Sequence, residues 1–372
     1  MKYICYHPWV GLDISTQGDF KPCCKYQENI DTNLSGYLNN KKLIALKEEF
    51  KQGARPSGCK RCWDDEDAGL PSKRQLDWKH IFGEKHPGWD PIKVLTLPFG
   101  NSCNLACRTC NSYTSSGWVS EAKKLQQHLP ELVIYKHQTF YKNKEFINQI
   151  KSLCTNVLHV EFPGGEPFLA GVDEHLEFLD FLLENNPKNI SLHYMTNATI
   201  FPDQKFWDKW IKFKNVDIQL SVDGIDEKFE YLRWPAKWSQ VNDNVHQFMM
   251  HRKDNIQLSI SHTVSIFNVL YLPEFFKWCL QNKLGKPYLG LVSQPEHFSI
   301  KGLPKKVKQS ISDKLTRFSF KEIVSYMNSE DLTDHFDTAI KHIKLVDQQR
   351  NESFEKTFPE LHQLLKESAC QI

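Results

Sequence analysis

The stretch Asn101-Ser-Cys-Asn-Leu-Ala-Cys-Arg-Thr-Cys110 follows directly on a short apolar run, Val94–Leu97, and puts three thiols on one tight loop at Cys-x3-Cys-x2-Cys spacing. An apolar run of this length that breaks into a polar, cysteine-rich loop reads as a buried strand whose C-terminal end carries chemistry, where α/β barrels keep their reactive groups. Three thiolates this close can each take one iron of a four-iron cluster. Such a cluster normally takes four cysteines, so one iron is left open to a substrate ligand.

Outward from this loop, as far as residue 297, short apolar strands alternate with helical stretches, the pattern of a parallel α/β architecture. Further strands are expected at Val157–Phe162, Ile190–Thr196, Val216–Val222, Ile256–Val264 and Tyr288–Val292, with helices at Val172–Glu184, Asp203–Phe213, Val241–Met250 and Pro273–Asn282. Several strands alternate strictly: Ile218, Leu220 and Val222 share one face, while Asp217, Gln219, Ser221 and Asp223 share the other. A closed eight-stranded barrel fills its interior with branched apolar side chains, so a polar inner face points to a wider lumen that holds a polar ligand. The expectation is therefore a partial (β/α)6 barrel over residues 90–297, followed by a helical extension, 298–372, of unassigned purpose. His159, Glu161 and His193 fall on inner faces, where they can orient a substrate or carry a proton, whereas His262 falls on the outer face and reads as a core histidine.

Lys plus Arg number 47 against 45 Asp plus Glu, so no overall field points to nucleic acid or a membrane surface, and the basic run Lys301–Lys308 reads as a solvated helix face. No segment approaches the roughly 20 apolar residues of a membrane span, and the opening stretch lacks a signal peptide's apolar run, so the expected location is the cytoplasm. Eleven cysteines in a reducing compartment point to metal chemistry before disulfides. Cys154, Cys279 and Cys370 are scattered and read as core residues. Cys5, Gly18, Cys23 and the pair Cys59-x2-Cys62 form a second pattern within an N-terminal module, residues 1–75, with a helical connector around Leu38–Gln52 and Cys24 as a spare thiol. Four such thiolates suit either an iron–sulfur cluster or a structural zinc ion. Trp63, Trp78, Trp89 and Trp118 are expected to weld this module to the barrel.

The cysteine triplet and three later segments, in order, resemble the radical S-adenosylmethionine (SAM) superfamily. Phe162-Pro-Gly-Gly-Glu-Pro167 is similar to the family's Gly-Gly-Glu-Pro segment, Thr196-Asn197-Ala198 to its Thr-Asn-Gly, and Ser221-Val-Asp-Gly224 to its Ser-x-Asp-Gly. The resemblance implies that Cys103, Cys107 and Cys110 hold a 4Fe-4S cluster that splits SAM to a 5′-deoxyadenosyl radical. It implies SAM contacts at Gly164, Gly165, Glu166, Pro167, Asn197, Ser221, Asp223 and Arg233, with Glu166 near the amino group and Ser221 and Arg233 near the carboxylate. Thr109 stands where the family usually has an aromatic residue, and Ala198 replaces its usual glycine.

The N-terminal pattern resembles the SPASM/Twitch module, which implies a second, auxiliary 4Fe-4S cluster at Cys5, Cys23, Cys59 and Cys62. Such modules normally follow the barrel; here the cysteines precede it, and the module is expected to pack beside the barrel mouth. By the same resemblance the substrate is a peptide or protein, with a flavodoxin or ferredoxin as low-potential electron donor. A small-molecule, sugar-alcohol-like dehydrogenase and a non-catalytic iron–sulfur sensor are the alternatives.

Overall fold

The computed structural model describes residues 4–88, 92–130 and 132–368. Trp89 and Cys370, expected in the weld and in the core, lie outside the described residues. Eight strands form one sheet in the order β2-β1-β3-β4-β5-β6-β7-β8: β1 Gly11–Ile14, β2 Phe20–Lys21, β3 Val94–Thr96, β4 His159–Phe162, β5 Ser191–Thr196, β6 Asn215–Ser221, β7 Ile256–Val264 and β8 Tyr288–Leu291. All neighbours are parallel except β1 and β2, and the sheet stays open at β2 and β8, a partial barrel.

The six expected strands are β3 to β8, and their alternation is the reason they form: in β5 and β6 half-buried polar residues on the inner face alternate with buried Leu192, Tyr194, Val216, Ile218 and Leu220 on the outer. Helices Val172–Glu184 and Gln204–Trp210 cover that outer face with Leu179, Leu182, Phe206 and Trp210, each fully buried. Burying each such side chain stabilises the fold by about 1.5–3 kcal/mol. Cys154 and Cys279 are fully buried core residues. His262 is too: its Nδ1 lies 3.0 Å from the Val222 carbonyl oxygen and its ring packs on Phe275.

The N-terminal segment contributes to the sheet itself, which the sequence does not announce. β1 pairs in parallel with β3, setting Gly11 beside Val94 and Asp13 beside Thr96. A Cβ on Gly11 would come within 2.4 Å of the Pro22 carbonyl oxygen, so only glycine admits this close return of the chain. Gly18, at φ +89°, turns β1 into β2.

Trp63 packs on Phe50 and donates to the Pro56 carbonyl, Trp78 stacks on Tyr6, and Trp118 donates to the Cys107 carbonyl. The β1–β3 pairing joins the N-terminal segment to the barrel directly. One expectation is corrected. Lys301–Lys308 is not a solvated face throughout, because Lys301 and Lys308 are buried; Lys301 Nζ lies 3.1 Å from Glu330 and 3.6 Å from Asp64, tying the C-terminal helices to the N-terminal segment. A buried ammonium needs such carboxylates to offset its lost hydration.

Candidate active site

The Cys103–Cys110 loop leaves the C-terminal end of β3 and is gripped from both sides. The Ala106 amide donates to the Trp234 carbonyl and the Arg108 amide to the Leu232 carbonyl, so Cys107 lies alongside Arg233, whose Nη1 is 4.0 Å from Cys107 Sγ. Asn197, at the end of β5, reaches the loop through Asn104 (2.9 Å) and lies 3.8 Å from Cys103 Sγ. Cys110 Sγ sits 2.8 Å from Thr114 Oγ1. Burial is the main cause that pushes all three thiols up, Cys103 to about 11; Cys103 and Cys107 are raised further by other thiols of the set and Cys110 by Asp223. Such thiols ionise when a cation joins them.

The segment after β4 is laid on this loop. A Cβ on Gly165 would meet the Ser102 carbonyl oxygen at 2.1 Å, and the Glu166 amide donates to that same oxygen at 2.7 Å. The glycines thus bring backbone onto the cysteine loop itself. Glu166 is buried; its carboxylate accepts from the Thr196 hydroxyl and the Asn197 amide, both at 2.7 Å, and from the Phe168 amide at 3.3 Å. Burial pushes its pKa up to about 7, against those hydrogen bonds. Pro167 is buried behind it. Ala198, fully buried, holds the left-handed conformation (φ +61°) that favours glycine, which is the physical sense of the glycine usual there. Asp223, two residues past Ser221 and the end of β6, accepts from the Thr263 amide at 2.7 Å and pairs with Arg233 at 2.8 Å. Glu166, Asn197, Asp223 and Arg233 therefore converge on the loop of three thiols.

Below it the lumen carries one charged layer in register, Asp13 beside Thr96, Thr96 beside Glu161, Glu161 beside His193 and His193 beside Asp217. His193 Nδ1 donates to Asp217 at 2.8 Å, His159 Nε2 lies 3.6 Å from Glu161, and Thr96 Oγ1 donates to Glu161 at 3.2 Å. Sequence reasoning missed Lys73, whose ammonium pairs with Glu161 and, at 3.0 Å, with Asp77. Burial alone would raise the Glu161 pKa, but Lys73 and the two imidazoles hold it well below the usual carboxylate range. Burial and Glu161 together push Asp13 up to about 6.

Lys73 also lines a second cavity, on which Cys5, Cys23, Cys59 and Cys62 all open together with Lys25 and Arg74. Four sulfur donors walled by three cations suit a cluster whose thiolates make it net negative. Cys24 is exposed and is not among the residues lining that cavity.

No family model matches the chain. It is 28% identical over 149 residues to a cysteine-type anaerobic sulfatase-maturating enzyme of Clostridium novyi, a match covering 39% of this chain and 36% of that protein. It is 25% identical over 141 residues to the enzyme of the same name from Clostridium perfringens, covering 37% and 34%. Over that stretch the chain is similar to these sulfatase-maturating enzymes. It spans about a third of the length of the curated relatives it matches. Among solved structures, native anSMEcpe with bound AdoMet superposes with a TM-score of 0.44 at 18% identity, covering 65% of this chain and 63% of that one. Streptococcus suis SuiB bound to precursor peptide SuiA gives 0.41 at 17%, covering 75% and 59%. The segments 101–110, 162–167, 196–198 and 221–224 lie at the C-terminal ends of β3, β4, β5 and β6. Among the described residues no helix is long and apolar enough to cross a membrane.

Proposed function

We propose that this chain is a radical SAM enzyme that modifies a peptide or protein, with Cys103, Cys107 and Cys110 as ligands of the SAM-binding 4Fe-4S cluster. The observation that carries this reading is the convergence of Arg233, Asn197 and the Gly164–Glu166 backbone on one loop of three thiols. Bound there and reduced, such a cluster supplies the one-electron cleavage of SAM to methionine and a 5′-deoxyadenosyl radical, which takes a hydrogen atom from the substrate.

The chain's own residues prepare that step. Glu166, held by Thr196 and Asn197, keeps a lone pair for the SAM ammonium, with Gly164, Gly165 and Pro167 shaping the backbone around it. Ser221 and Arg233 offer a hydroxyl and a guanidinium to the SAM carboxylate, Asp223 fixing the arginine. The Glu161, His159 and His193 layer orients the substrate in the lumen. Cys5, Cys23, Cys59 and Cys62 hold an auxiliary 4Fe-4S cluster. A flavodoxin or ferredoxin supplies the electron, and the enzyme works in the cytoplasm. The peptide substrate is supported by the relatives, which are sulfatase-maturating enzymes.

Mass-spectrometric comparison of host extracts carrying active and cysteine-dead protein tests the substrate class. A peptide with altered hydrogen content or a new crosslink is expected; a changed sugar-alcohol-like metabolite would establish the dehydrogenase alternative instead.

A further inference from the structure

The helix Phe336–Arg350 lies more than two hundred residues from the cysteine loop in sequence, yet two buried arginines join them. Arg350, 1% exposed, donates to the Ala106 carbonyl oxygen at 2.7 Å and to Glu121 at 2.6 Å, with its guanidinium over the rings of Trp118 and Trp234. Arg108, 2% exposed, answers from the loop, donating to Asp347 at 2.5 Å and Glu352 at 2.6 Å with its guanidinium 3.6 Å above the Tyr231 ring. Asp347 is itself fixed, accepting from the Tyr231 hydroxyl at 2.8 Å and the Phe354 amide at 2.7 Å. Ala106 and Arg108 are the two neighbours of Cys107. The Cys107 carbonyl is held in turn by Trp118 Nε1 at 2.8 Å, the ring beneath Arg350.

We propose that this C-terminal helix is a positioning element of the cysteine site, clamping Cys107 through Arg350 and Arg108 so that the three thiols keep the spacing that SAM binding needs. The inference rests on the reading of those thiols as cluster ligands. It gives the helical extension, unassigned from the sequence, a task inside the molecule. Every peptide unit flanking Cys107 is anchored, and charge-assisted hydrogen bonds of this kind, desolvated and two or three to each arginine, are the strong class. Arginine suits the role because one planar group satisfies a carbonyl, a carboxylate and two aromatic faces together; a lysine matches only part of that geometry.

The test uses the full chain with Arg350→Gln and Arg350→Lys, plus Glu121→Gln, which keeps the side chain's shape while weakening the anchor. Hydrogen exchange of the peptide spanning Cys103 to Cys110 is followed in cluster-free and reconstituted protein, and SAM affinity is read from the SAM-induced change in the electron paramagnetic resonance of the reduced cluster. Arg350→Gln should speed exchange in that peptide about tenfold or more, leaving β5 and β6 unchanged, and should weaken SAM binding about tenfold at undiminished iron. Arg350→Lys should recover part of both, and Glu121→Gln should move both the same way by less. Unchanged exchange, or faster exchange with unaltered SAM affinity, overturns the clamp. Should Arg350→Gln fail to fold, Glu121→Gln decides by the same two readings. Wild-type protein that takes up iron but shows no response to SAM would instead overturn the proposed function, and the cluster-free exchange comparison would still decide whether the helix holds Cys107.

Discussion

The thiols of Cys5, Cys23, Cys59 and Cys62 line a cavity whose other walls include Lys25, Lys73 and Arg74, whereas Cys103, Cys107 and Cys110 sit on a loop facing Arg233, Asn197 and the glycine-rich backbone after β4. The first set supplies four sulfurs with compensating charge around them; the second supplies three, beside groups suited to an amino acid's ammonium and carboxylate. On the proposed reading, number of donors and character of the walls agree in both places: the four-thiol cluster would pass electrons, and the three-thiol one would bind a ligand. Lys73 is the link between them, since it lines the first cavity and reaches Glu161 in the lumen that the second overlooks.

The sharpest way to break this contrast is to empty one site alone. Anaerobically reconstituted protein is expected to hold about eight irons, as two four-iron clusters, and Cys59→Ala with Cys62→Ala about four; four irons in both would remove the auxiliary cluster. The link between the sites comes next. Lys73→Met strands Glu161 as a buried, unpaired carboxylate and should cost about 3–5 kcal/mol in urea denaturation, most of it recovered when Glu161→Gln is added; a loss under about 1 kcal/mol would show that the pair is not a structural bridge. At the open site, Glu166→Gln should weaken SAM binding about tenfold, through loss of a charged hydrogen bond of roughly 1.5–3 kcal/mol, with iron content unaltered. Unchanged affinity would give the segment another role.

The smallest effect concerns the scaffold that both sites share. Burial lowers the pKa of His175 to about 3 and of His262 to about 4. Both imidazoles are neutral in the fold and become protonated more readily when unfolded, near pH 6.5. Their contribution is therefore complete above about pH 6.5 and is lost as pH falls toward 4, at roughly 1.4 kcal/mol per pH unit for each. His175→Phe, in a site already ringed by Phe99, Phe162 and Tyr194, should remove about one such unit of slope from stability between pH 6 and 4.5. A slope identical to wild type would mean that His175 titrates normally.

What was legible in the sequence follows from what each feature demands of it. Strands β5, β6 and β7 announce themselves because an open lumen enforces polar and apolar alternation, β3 as a short apolar run before the cysteine loop, and the cysteines because cluster ligation leaves no choice of residue. β1 is too short to announce itself: Gly11–Ile14 is four residues, all buried, with Asp13 as its one polar lumen residue. Lys73 opens a helix, Lys73–His80, with no fully buried residue, whose charges read like those of any exposed helix; only the fold reveals that its ammonium enters the lumen. The Arg108 and Arg350 pairs join partners more than two hundred residues apart, beyond the reach of any local pattern. The basic run at Lys301–Lys308 misled for a related reason, since its carboxylate partners, Asp64 and Glu330, come from distant parts of the chain.

The central claim is that three thiols, and not the other four, bring SAM to its cleavage. Its most direct test is to incubate reduced, oxygen-protected protein with SAM and to quantify 5′-deoxyadenosine by mass spectrometry. Wild type should form it, and the Cys103→Ala, Cys107→Ala, Cys110→Ala variant should form none while retaining about four irons. Product from that variant, or none from iron-loaded wild type, would contradict the account.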